Sequence, residues 1–138
     1  DDYNDLSGLP LFSFGFGLSY TNFEYANLHF EKNNIDKSDS TIVSFILKNT
    51  GAVPGDEVVQ LYIRDLLSSV VRPVMELKGF QRVHLLAGEA KQISFTITPA
   101  LLSTLNARME RVVEPGDFRI MIGASSHDIR LKETLTVR

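Results

Sequence analysis

Acids and histidines carry most of the chemistry a chain without cysteine can do, so their spacing comes first. Asp56 and Glu57 are adjacent. On a strand, adjacent side chains leave opposite faces, so this pair cannot serve one bond as acid and base. Glu76, Glu110, Glu114 and Asp117 lie near Lys78, Arg108, Arg111 and Arg119, the pattern of a solvated charged surface. His29, His84 and His127 share no metal-ligand spacing, and His29 falls on the polar face of its segment with Asn27 and Tyr25. Asp36 and Asp39 flank a turn and lack the further oxygen ligands of a calcium loop. Aspartate at such a place bonds its own backbone. Cysteine is absent, which excludes disulfides, thiolate nucleophiles and zinc–sulfur sites. No glycine-rich loop opens a helix to cradle a phosphate. The expectation is no catalytic residue, no metal and no cofactor.

The remaining possibility for function is a surface. With 14 basic and 17 acidic side chains in 138 residues the formal charge is −3, which gives no reason to bind nucleic acid or an anionic membrane. No apolar run approaches the roughly 20 residues of a membrane-spanning helix. Hydrophobic residues make up 43% and charged residues 22%, a globular composition with material for one core. The chain lacks a start methionine and a signal-peptide pattern, which reads as a fragment or a mature form.

The elements read as strands. Pro10, Pro54, Pro73, Pro99 and Pro115 fall between apolar segments, where a missing backbone donor does no harm. Between them the apolar pattern has period two. Val43, Phe45 and Leu47 share one face; so do Val59, Leu61 and Ile63, then Ile93, Phe95 and Ile97, then Phe118, Ile120 and Ile122. An earlier strand carries Ala26, Leu28 and Phe30 inward, and another lies within Met75–Leu85 with a bend at Gly79. In the last strand Ile129, Leu131, Leu135 and Val137 point inward, while Glu133 breaks the face and predicts a bulge or frayed edge. Lys32 to Ser40 reads as a hairpin or inter-strand loop. One short helix is expected, with Thr98 as cap, Pro99 in the first turn and Leu101, Leu102 and Leu105 at helical spacing. About seven short strands with regular turn signals predict an all-β, antiparallel, immunoglobulin-like sandwich. Without a cysteine pair, a tryptophan or a tyrosine after Tyr62, the fibronectin type III-like variant is the better match.

A sandwich of this kind needs about 100 residues, and residues 24–138 supply them. Residues 1–23 are therefore surplus, an N-terminal arm in which Phe12, Phe14, Phe16 and Tyr20 crowd around Gly15 and Gly17. Packed rings each bury about 150–250 Å², so four left in water would form a costly patch. The arm either folds over its own sandwich or clasps a larger neighbour. The apolar loop Leu66 to Pro73 has the same two choices, as a cap on the sandwich or as a docking loop in which Arg72 meets a carboxylate.

The stretch Pro10-Leu11-Phe12-Ser13-Phe14-Gly15-Phe16-Gly17-Leu18-Ser19-Tyr20-Thr21 resembles a signature of glycoside hydrolase family 3, where it introduces a C-terminal fibronectin type III-like domain. The resemblance continues through Asn49-Thr50-Gly51, Gly55-Asp56-Glu57-Val58-Val59-Gln60-Leu61-Tyr62, Ser68-Ser69-Val70 with Arg72-Pro73, Glu76-Leu77-Lys78-Gly79-Phe80, Gly88-Glu89, Val113-Glu114-Pro115-Gly116-Asp117-Phe118 and Gly123-Ala124-Ser125-Ser126 with Asp128-Ile129-Arg130. Ser13 stands where the signature has proline, and Phe16 where it has tyrosine or histidine.

The resemblance implies a parent enzyme of the β-glucosidase or β-xylosidase type that acts on O-glycosidic bonds in carbohydrate metabolism. It places the nucleophilic aspartate and the acid/base residue on preceding domains, so no catalytic residue is carried onto this chain. The chain alone is expected to be a non-catalytic accessory domain. Its partner is then the catalytic part of the same polypeptide, met through Phe12, Phe14, Phe16, Tyr20 and Arg72. The resemblance favours a periplasmic or extracellular place. The alternative is a carbohydrate-binding or adhesion module, with Tyr25, Tyr62 and the arm as sugar platforms; a small enzyme in its own right is a third reading.

Overall fold

The computed structural model describes residues 21–66 and 75–138. Its elements run β1 (Phe23–Phe30), β2 (Asn34–Ile35), β3 (Thr41–Asn49), β4 (Gly55–Asp65), β5 (Met75–Leu85), β6 (Ala90–Ile97), α1 (Pro99–Leu102), β7 (Thr104–Leu105), β8 (Arg111–Val112), β9 (Gly116–Ser125) and β10 (Asp128–Val137). Seven of the strands have eight residues or more, which are the strands the period-two pattern predicts; three have only two.

Two sheets form the sandwich, one of five strands in the order β2-β10-β9-β4-β5 and one of three in the order β1-β3-β6; β7 and β8 pair as a small ribbon. All long strands pair antiparallel, and only the two-residue β2 runs parallel to β10. The Lys32–Ser40 segment, a hairpin or inter-strand loop by sequence, contains the two-residue strand β2. Its Ile35 is buried, too short a signal for periodicity to detect.

The apolar faces of β3, β4, β6 and β9 pack as expected. Val43, Phe45, Leu47, Val59, Ile97, Ile120 and Ile122 are fully shielded, with Phe118 and Leu61 almost so. Full burial of such a side chain contributes about 1.5–3 kcal/mol, which makes this interior the main stabilising term. The helix also forms, with Thr98 as its cap and Pro99 in the first turn, but it is a single turn. Leu105 lies outside it, in β7.

Two strand expectations need correction. In β1 the ladder shifts between Ala26 and His29, and Asn27 sits at φ 60°, a left-handed conformation that asparagine tolerates. This bulge reverses the face along the strand. Phe23 and Tyr25 join the core before it, Leu28 and Phe30 after it, so Tyr25 is an inward residue. In β10 Glu133 stays in register opposite Ile120; the irregularity falls where Ile122 pairs Leu131 and Gly123 pairs Ile129, leaving Arg130 as the extra residue. Glu133 is exposed because β2 covers only Thr136 and Val137 of that edge.

Candidate functional site

Phe12, Phe14, Phe16, Tyr20 and Arg72 lie outside the described residues. The structure describes the last residues of the arm, from Thr21 onward. Thr21 donates its hydroxyl to Asn49 Oδ1 at 2.6 Å. Asn49, at the end of β3, has no solvent exposure. Its Oδ1 also accepts from Gly51 N at 3.0 Å, and its Nδ2 donates to Val53 O at 2.8 Å and Leu85 O at 3.1 Å. Both donors and both acceptor sites of the amide are thus in use. Thr50 N donates to Asn22 O at 2.8 Å. Gly51 lies so close that a Cβ would stand 1.9 Å from Thr21 Oγ1. The Asn49-Thr50-Gly51 motif is therefore a seat for Thr21 and Asn22 at the end of the arm. In the sequence the only sign of this role is a polar triplet ending an apolar strand.

A second polar cluster ties the two sheets together. Tyr25 on β1 donates its hydroxyl to Glu57 Oε2 on β4 at 2.8 Å and stacks on Phe45, with centroids 5.6 Å apart and planes 5° from parallel. The Arg130 guanidinium lies 5.0 Å from the Tyr25 ring centroid. It also grips Asp128 through two bonds of 2.7 and 3.1 Å and donates to Phe23 O at 3.1 Å. Burial, reinforced by the neighbouring Glu57 carboxylate, drives the Tyr25 hydroxyl far above its ordinary range, so it is a donor throughout the physiological range. Burial also raises Glu57, against the pull of the Tyr25 hydrogen bond and Arg130. A raised carboxyl can mark an acid catalyst, but this one is committed to Tyr25 between the sheets. Asp56 points the other way, to His84 Nδ1 at 2.5 Å and Arg82 Nε at 2.7 Å, which hold its carboxyl below the usual range.

The remaining sequence candidates are spread out. Asp36 and Asp39 close their turn through Asp39 N to Asp36 O at 3.0 Å and Asp36 N to Asp39 Oδ2 at 3.3 Å. Glu76 pairs with Lys78 at 2.9 Å. Among the described residues no three of His, Asp or Glu gather as a metal site, and no helix is long and apolar enough to cross a membrane. Tyr25 and Tyr62, read above as sugar platforms, are 8% and 7% exposed, and the Tyr62 hydroxyl donates to Gln60 Oε1. Neither offers a ring face to a sugar, because stacking needs an open aromatic surface.

Residues 57–126 match the fibronectin type III-like domain family. The chain belongs to that family. Two curated relatives are 45% and 48% identical to this fibronectin type III-like chain: the thermostable beta-glucosidase B of Acetivibrio thermocellus, over 98% of the chain, and a beta-xylosidase of Formosa agariphila, over 94%. The chain spans only 18% of the length of each. Among solved structures, the beta-glucosidase of Listeria innocua in complex with glucose superposes with a TM-score of 0.78 at 36% identity, covering 99% of this chain and 19% of that one. The beta-D-glucoside glucohydrolase of Trichoderma reesei gives 0.77 at 35% identity, over 90% of this chain and 20% of that one.

Proposed function

We propose that this chain is the C-terminal accessory domain of a family 3 glycoside hydrolase and that it stabilises the catalytic domains of its parent through the aromatic arm, residues 1–23, with the sandwich at 24–138 as the anchor. The observation that carries this reading is the Asn49 seat. A fully satisfied buried amide, with a glycine that leaves no room for a side chain, fixes Thr21 and hence the direction in which the arm leaves the sandwich. A fixed Thr21 suits an arm that must meet a neighbour in one register.

The chemistry belongs to the rest of the parent. Retaining glycoside hydrolysis requires two carboxyl groups about 5–5.5 Å apart at an open cleft. Here Asp56 faces outward to His84 and Arg82, and Glu57 is held by Tyr25. The parent is then a β-glucosidase- or β-xylosidase-type enzyme, a reading supported by the names of the relatives.

The test has two arms. The isolated chain should give no turnover of an aryl β-glucoside or aryl β-xyloside, while the full-length parent turns one of them over. In that parent, Phe12→Ser with Phe14→Ser should lower the thermal midpoint and speed proteolysis ahead of Thr21. Turnover by the isolated chain, or an unmoved midpoint in the parent variant, overturns the proposal. Saturable oligosaccharide binding by the isolated chain would favour the binding-module reading instead.

A further inference from the structure

The outer face of the five-stranded sheet carries apolar side chains that the sandwich does not use. Val58 on β4 and Leu77 and Phe80 on β5 are 40%, 51% and 67% exposed. They are neighbours through the ladder: Phe80 pairs Gln60, Leu77 pairs Tyr62, and Val58 lies two residues along from Gln60 on the same face. A phenylalanine at that exposure withholds most of a ring of about 150–250 Å² from burial. Alternation puts Arg64 and Arg119 on this face too, directly opposite each other across β4 and β9. Like charges in register destabilise a sheet, and neither arginine forms an ion pair with a described residue. Lys132, opposite Met121, adds a third cation. Asp117, two residues before Arg119, shares the face and accepts from Thr136 Oγ1 at 2.8 Å, while Asp56 at the far end is held by Arg82 and His84. The two acids against Arg64, Arg119, Lys132 and Arg82 leave the face net positive in a chain of formal charge −3.

We infer that this face, centred on Phe80 and Leu77 and edged by Arg64 and Arg119, docks on the catalytic part of the parent polypeptide, at an apolar surface bordered by carboxylates. The inference rests on the accessory-domain reading and names the surface that reading leaves open. Area and charge select the occupant. Three exposed side chains fall well short of the roughly 800 Å² per partner of a stable free-standing complex, and a second copy would bring the same cations to the contact. A tethered neighbour needs far less, because its effective concentration reaches the millimolar range. The relatives are five to six times longer than the chain, as its 18% share of each implies, so a parent of that kind holds ample surface to receive it.

The experiment compares the full-length parent with the isolated chain. Phe80→Ser with Leu77→Ser should lower the thermal midpoint of the parent by about 3 °C or more and that of the isolated chain by much less, since Phe80 is 67% and Leu77 51% exposed there. Arg64→Glu, which also relieves the opposition to Arg119, should leave the isolated chain as stable or more so and yet lower the parent's midpoint, less so at high salt. Equal losses in parent and isolated chain, or no loss in the parent from either variant, overturn the inference. So does dimerisation of the isolated chain, measured by sedimentation, that Phe80→Ser abolishes. The arm variant separates the two proposals. If Phe12→Ser with Phe14→Ser destabilises the parent and the face variants do not, the accessory reading stands and this face is wrong; if none of them does, both fall.

Discussion

Replacing Tyr25 by phenylalanine isolates one hydrogen bond between the two sheets. The ring keeps its stack on Phe45 and its place under Arg130; only the hydroxyl that donates to Glu57 at 2.8 Å is lost. A hydrogen bond to a charged group contributes about 1.5–3 kcal/mol. Glu57 is only partly shielded, so the lower end applies, and a loss of about 1.5–2 kcal/mol is expected near neutral pH. The loss must depend on pH. Burial raises the folded-state affinity of Glu57 for its proton. Between its unfolded value, about 4.3 for glutamate, and the higher folded value, the native state therefore binds more protons than the unfolded chain. Stability falls as pH rises through that window. Removing the Tyr25 hydroxyl, which favours the ionised carboxylate, widens the window upward and deepens the loss above it. Below about pH 4 the carboxyl is protonated in both states, and only a neutral bond of about 0.5–1.5 kcal/mol is missing. Urea unfolding of both proteins at about pH 4 and about pH 7.5 should show the larger gap at the higher pH. An equal gap at both, or none, would refute the view that Tyr25 holds an ionised Glu57.

Asn49→Ala removes four hydrogen bonds from a site without solvent and should cost about 2–4 kcal/mol, read by thermal unfolding, with faster amide exchange at Gly51. Gly123→Ala would set a Cβ 2.3 Å from Asp128 O and 2.9 Å from Ile129 Cα, both backbone atoms of the paired strand that cannot rotate aside. It should destabilise the chain by about 1–3 kcal/mol in scanning calorimetry, and a loss below about 0.5 kcal/mol would mean that the β9–β10 bulge yields freely.

Most of the sandwich was legible because it rests on local alternation. Phe45, Leu61, Phe95 and Ile120 each sit two residues from another apolar side chain, and a half-buried strand has no other way to satisfy that spacing. What alternation could not reveal were its interruptions. A bulge changes the facing of every residue beyond it, and nothing local to Ala26 or Leu131 states that one is near. Alternation alone therefore turns Tyr25 to solvent and puts at Glu133 an irregularity that belongs to Arg130. β2 escaped because two residues carry no period.

The chemistry divides along the same line. Residue inventory alone excluded thiolate and zinc–sulfur chemistry and left no spacing for a metal, since those depend on which atoms the chain possesses. Family likeness, carried by ordered motifs, pointed to the domain type before any coordinates. Pairings between distant segments were decided by the fold: Thr21 with Asn49, 28 residues apart, Tyr25 with Glu57, 32 apart, and Arg130 with Phe23, 107 apart. Such contacts depend on how two sheets stack and where each ladder slips, and no single strand encodes either.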